Sequence, residues 1–138
     1  MMRTLATFRV VPPPGARADR VTTVLGIQPT TVHEVGELVG RRSPRVVQAA
    51  MWSLDSAVDV GDGVELGTSL TVLLDRLEPL TGRLWDLYAD GHMFDWFCFV
   101  GSHATEHAVE LDRPVLARLI TLPGDLLLDV YPDDKDAE

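Results

Sequence analysis

Two groups of residues have the types and spacing to do chemistry. The first is His103-Ala104-Thr105-Glu106-His107, which has the form H-x-x-E-H. On a helix, that spacing turns two imidazoles toward one zinc ion and leaves the glutamate as base for a bound water, as in a metal-dependent hydrolase. Such a centre needs a third protein ligand and a helix long enough to hold the pair. Here the motif directly follows Val100-Gly101-Ser102 at the end of a strand-like run. That context predicts a solvated connection and leaves His103 and His107 as weak metal candidates. His33 and His92 are further imidazoles, but nothing in the sequence brings them close. No cofactor is expected.

The second group is Arg9, Asp95, Asp129 and Tyr131. Asp95 interrupts the apolar run 92–100, where a carboxylate needs a partner or a proton. Arg9 interrupts the first apolar run in the same way, between Phe8 and Val10. Asp129 and Tyr131 alternate with Leu128 and Val130 near the C-terminus. If the three runs are neighbouring strands, all four residues line one sheet face. They then form either an internal ion pair on the wetter face or a surface for a partner.

Other chemistry is not encoded. Gly61-Asp62-Gly63 is acidic and lacks the lysine of a phosphate-binding loop. The acidic residues of 55–65 depart from the alternating spacing of a calcium loop. No G-x-S-x-G elbow occurs. One cysteine among 138 residues rules out an intramolecular disulfide framework and a Cys-pair zinc site. Flanked by Phe97 and Phe99, Cys98 reads as a small buried apolar side chain.

The charge is unevenly placed. Residues 1–50 carry seven Arg against three acidic residues, a net +4. Residues 51–138 carry five basic against eighteen acidic residues, a net −13, for −9 over the chain. An acidic balance argues against nucleic-acid binding. A field of one sign steers a basic partner. No apolar stretch reaches the ~18 residues of a membrane span, and no signal-like segment opens the chain. The expected location is the cytoplasm.

The elements that must position these residues are legible from periodicity. Residues 4–11 read as a strand stopped by Pro12-Pro13-Pro14-Gly15. A short helix over 16–25 ends at Gly26. Extended segments follow over 27–31 and 31–40, then a basic loop at 41–45 and a strand over 46–54. Leu70, Leu73, Leu77, Leu80, Leu84 and Leu87 recur at alternating spacings of three and four. They predict helices over 66–77 and 79–89 meeting at a kink near Pro79. The stripe is expected to pack on the protein's own sheet rather than to serve as a dimer seam. Residues 92–100, apolar at alternating positions on both sides, predict a central strand buried on both faces, and 107–111 a partner strand. Asp112 and Pro114 open a last helix, with Val115, Leu116, Leu119 and Ile120 inward. Residues 125–131 form a closing strand. This order predicts one α+β domain over 1–132, a largely antiparallel sheet with three to four helices packed on it, and an acidic tail over 133–138. Trp52, Trp85 and Trp96 are expected as core or rim anchors.

Several of these pieces resemble, in order, the bacterial domain of unknown function numbered 4279. They are Thr22-Thr23-Val24-Leu25-Gly26-Ile27-Gln28-Pro29-Thr30, Gly36, Trp52-Ser53-Leu54, the leucine-rich helix running from Leu70 to Pro79, and the helix-Gly-strand unit from Leu116 to Tyr131. The resemblance spans residues 5–132. It carries over no catalytic residue, and it implies a binding or immunity-type protein more than an enzyme. Residues 41–45 and 103–107 fall outside the family's pattern.

The sequence therefore points to a non-enzymatic binding protein of the immunity or toxin-neutralising kind. It would occlude a protein partner, with the acidic half favouring a basic one, through Arg9, Asp95, Asp129, Tyr131, Asp86 and Asp90, with Asp125 nearby. The alternatives are a metal-dependent hydrolase built on His103, Glu106 and His107, and a structural homodimer formed through a sheet edge or the leucine stripe.

Overall fold

A computed structural model describes residues 2–56, 65–102 and 108–132. The H-x-x-E-H segment 103–107, the acidic stretch 57–64 and the tail 133–138 lie outside the described residues.

The chain begins with a long alternation of buried and half-exposed residues. In β1, Met2–Val11, residues Thr4, Ala6, Phe8 and Val10 are buried, while Arg3, Leu5, Thr7, Arg9 and Val11 are half-exposed. The period of two commits one side of the strand to a core. Two further strands flank β1, both antiparallel to it. One is β5, Met51–Asp55, and the other is β6, Met93–Ser102. Outside β5 lies the three-residue β2, Thr31–His33, and outside β6 lies β7, Asp125–Pro132. The sheet order is β2-β5-β1-β6-β7. A separate ribbon pairs β3, Leu38–Val39, with β4, Arg45–Val46, and its exposed turn presents Arg41 and Arg42.

The α+β expectation holds, and three of the four pairings in the five-stranded sheet are antiparallel, but the sheet is mixed rather than all antiparallel. β7 runs parallel to β6 because the connection between them crosses over through α4, Arg113–Leu119. A hairpin would have returned β7 antiparallel. Residues 108–112 form no strand, contrary to the expectation of a partner strand at 107–111.

The leucine stripe packs inward. In α2, Leu66–Leu77, residues Leu66, Leu70, Leu73, Leu74 and Leu77 are buried. A single 3-10 turn over Glu78–Leu80 absorbs Pro79, and α3, Thr81–Ala89, then buries Leu84 and Leu87. Together with Val21 and Leu25 of α1, Arg20–Leu25, they join Phe8, Trp52, Leu54, Trp96 and Cys98 in one core. The stripe is therefore unavailable as a dimer seam. Asp112 caps α4 as its residue type predicts, accepting from the Val115 amide at 3.0 Å. Leu116 and Ile120, expected inward, are exposed, because only Val115 and one edge of Leu119 reach the core.

Candidate binding surface

The helices occupy one side of the sheet. β6, expected to be buried on both faces, buries Phe94, Trp96, Cys98 and Val100 against them and leaves Met93, Asp95, Phe97 and Phe99 on the other side. Those four residues are apolar or paired, so a sequence pattern could not distinguish a covered face from an open one.

The register assembles this open side. Arg9 lies directly opposite Asp95, Thr7 opposite Phe97, and Leu5 opposite Phe99. On the far flank of β6, Asp125 pairs with Asp95, Leu127 with Phe97, Asp129 with Phe99 and Tyr131 with Gly101. The predicted adjacency of β1, β6 and β7 is thus present, and Arg9, Asp95, Asp129 and Tyr131 share one face.

Arg9 donates from Nε to Asp95 Oδ1 and from Nη2 to Oδ2, both at 2.7 Å. This two-pronged contact suits the planar guanidinium and is stronger than a single hydrogen bond. Each side chain keeps 26% of its surface exposed. The hydrogen bond to Asp95 raises the Arg9 pKa above its ordinary value, against the opposing pull of partial burial. The guanidinium also lies over the Phe97 ring, 4.3 Å from its centroid. Farther along, the Tyr131 hydroxyl donates to Asp129 Oδ2 at 2.9 Å, which raises the phenol's pKa. The Tyr131 ring meets Phe99 edge-on at 5.1 Å. Behind the sheet, burial pushes the Cys98 thiol up to about 12, so it is an inert core group.

At the Arg9–Asp95 end, the open face runs into a cavity of about 540 Å³. Its apolar wall includes Trp85 and Tyr88 from α3, Met93 and Ile120. Trp85 and Tyr88 sit three residues apart and touch edge-on at 5.2 Å. The Trp85 indole donates to the Thr121 carbonyl at 2.9 Å and latches α3 to the turn before β7. That turn ends at Gly124, with φ +120; a β-carbon there would stand 3.2 Å from the Phe94 carbonyl oxygen. Asp86 on α3 and Asp90 at its C-cap are exposed but do not line the cavity, so the structure separates them from Arg9 and Asp95.

Sequence reasoning missed Tyr88, Met93, Ile120 and Leu127. The signal for the first was present: Trp85 and Tyr88 each follow a stripe leucine by one position, which rotates them to the flank of α3. Ile120 carried no such signal, since its exposure depends on which residues at the end of α4 reach the core.

No group of three or more potential metal ligands occurs among the described residues. None of their helices is long and apolar enough to cross a membrane.

Fold and surface together define an α+β protein with helices on one side of a mixed sheet and an uncovered, partly aromatic face on the other. The chain matches the family model described as "Domain of unknown function (DUF4279)" over residues 2–133, and it belongs to that family. No curated protein and no solved structure matches it.

Proposed function

We propose that this protein is a non-enzymatic cytoplasmic binding protein that acts by stoichiometric occlusion of a protein partner, as an immunity or toxin-neutralising protein does. One observation carries the reading. Exposed Trp85, Tyr88, Met93, Ile120 and Leu127 surround the part-buried Arg9–Asp95 pair. Aromatic anchors beside an arginine held in a fixed orientation are the usual composition of an interface hot spot. Ile120, at 82% exposure, gains nothing from the protein's own fold. Asp125 and Asp129 on the same face, with Asp86 and Asp90 beyond the cavity, favour a partner whose contact surface is basic.

The test is comparative capture. Wild-type protein and the Trp85→Ala and Ile120→Asp variants are used as bait in a lysate of the source organism, and any retained protein is purified and titrated. The expected result is a one-to-one complex by sedimentation. Trp85→Ala should weaken it by about thirtyfold or more, the scale of losing a hot-spot aromatic. A retained protein that binds all three baits equally, or recovery of the bait's own copies alone, refutes the reading.

A further inference from the structure

Among the described residues, β7 is a long sheet edge that no other strand pairs. Edge strands are ordinarily protected by shortness, by charged side chains, especially lysine, or proline within the strand, by a bulge or by a covering element. β7 has eight residues and no lysine; its charges are Asp125 and Asp129, both on the open face, and its single proline is the last residue. Its helix-side face is wholly apolar. Leu126, Leu128 and Val130 face the helix side and are 39%, 46% and 59% exposed, because α4 packs on α2 and leaves them uncovered. Leu127 and Tyr131 are exposed on the other face.

From this we infer that β7 pairs antiparallel with β7 of a second copy of the chain, about a two-fold axis through Leu128, joining the two five-stranded sheets into one. Self-complementarity singles out the second copy as occupant. In an isologous pair, a two-fold axis normal to the sheet keeps each side chain on its own face. Directly opposed residues of an antiparallel pair point to the same face, so the axis must pass through a residue. Placing it at Leu127 opposes Asp125 to Asp129. Placing it at Asp129 opposes that carboxylate to itself. Like charges directly opposite are destabilising. Axes at Leu126 or Val130 lose strand overlap to Pro123 and Pro132. At Leu128 residues 125–131 overlap in full: Leu128 faces Leu128, Leu126 faces Val130, Leu127 faces Asp129 and Asp125 faces Tyr131. No carboxylate is then directly opposite another, and the exposed helix-side residues of both copies form one apolar cluster. This register also leaves the Arg9–Asp95 pair, on β1 and β6, untouched.

Each copy carries a net −9, so long-range repulsion opposes association and salt relieves it. The dimer therefore tightens as ionic strength rises, opposite to a complex held by ion pairs.

Sedimentation equilibrium of the full chain over a range of concentrations, at low and high salt, tests the pairing. A monomer–dimer equilibrium that shifts toward dimer with salt is expected. Leu128→Asp should weaken it by at least about tenfold, through lost burial and an opposed carboxylate pair on the axis. Leu38→Asp, on the distant ribbon, should leave it unchanged. Cross-linking reads the register and does not depend on the charged variant folding. Under mild oxidation Leu128→Cys should give a covalent dimer, because opposed Cα atoms lie within disulfide reach. Leu126→Cys should not, because its two copies are about 13 Å apart in this register. The native thiol is buried and does not compete. A monomer at every concentration and salt, a dimer indifferent to Leu128→Asp, or equal cross-linking at 126 and 128 overturns the proposal.

Discussion

The two edges of the sheet are built on opposite principles. The β2 edge is three residues long, and the ribbon that follows it carries exposed Arg41, Arg42 and Arg45. A short edge beside a positively charged ribbon offers little template for another strand. The β7 edge is eight residues long, wholly apolar on its helix-side face and mixed on the other, where Asp125 and Asp129 alternate with Leu127 and Tyr131. One sheet thus keeps one edge closed to pairing and the other open, and the open one adjoins the aromatic cavity.

The contrast is sharpest at glycine. Gly124→Ala, at the entrance to β7, puts a β-carbon into backbone and ring atoms of β6 at a φ that alanine avoids. It should cost about 3 kcal/mol, read as a lower denaturant midpoint. Gly36→Ala, near the other edge at φ +94, meets no atom within 4 Å. It should cost only about 1 kcal/mol. Equal losses would mean that the two edges are anchored alike.

The ion pair behind β7 comes next. A double-mutant cycle of Arg9→Met and Asp95→Asn should give a coupling of about 1 kcal/mol, because both groups keep solvent contact. No coupling would make the pair incidental to the sheet and free for a partner.

A smaller effect separates the crossover that delivers β7 from the rest. Arg118 of α4 donates to both oxygens of Glu78, at 3.0 and 2.6 Å, and to Asp75 at 2.7 Å. The hydrogen bond from Arg118 lowers the Glu78 pKa below its ordinary value. A carboxylate lowered in the folded state adds stability that is complete above its unfolded pKa of about 4.3 and is lost as pH falls through the folded value. The stability gap between wild type and Glu78→Gln should therefore close on acidification, followed by urea midpoints at a series of pH values. A gap that widened in acid would reverse the sign. Smallest of all, Thr31→Lys on the closed edge should change stability by less than about 0.5 kcal/mol and leave the association state alone.

Much of this was legible before any coordinates. The leucine spacing located α2 and α3 and the kink at Pro79, Asp112 announced a cap, and the alternation around Arg9 and Asp95 placed two opposite charges on matching faces. These are local patterns, set by helix and strand period. Errors arose where the outcome depended on what lies across a face. β6 reads as doubly buried because Phe97 and Phe99 are as apolar as Trp96, yet no described helix covers their side. Ile120 reads as inward because its spacing suits the face of Val115 and Leu119, yet at the C-cap of α4 it stands exposed.

The sequence by itself determined the type of most elements, the family and the charge division between the two halves of the chain, since these depend on neighbouring residues and on composition. Only the tertiary structure decided that β7 returns parallel through a crossover, that Arg9 meets Asp95 in register, and that Leu126, Leu128 and Val130 end at a sheet edge. Those facts depend on strand order and helix placement, which are set by packing between residues distant in the chain and leave no periodic mark within any one segment.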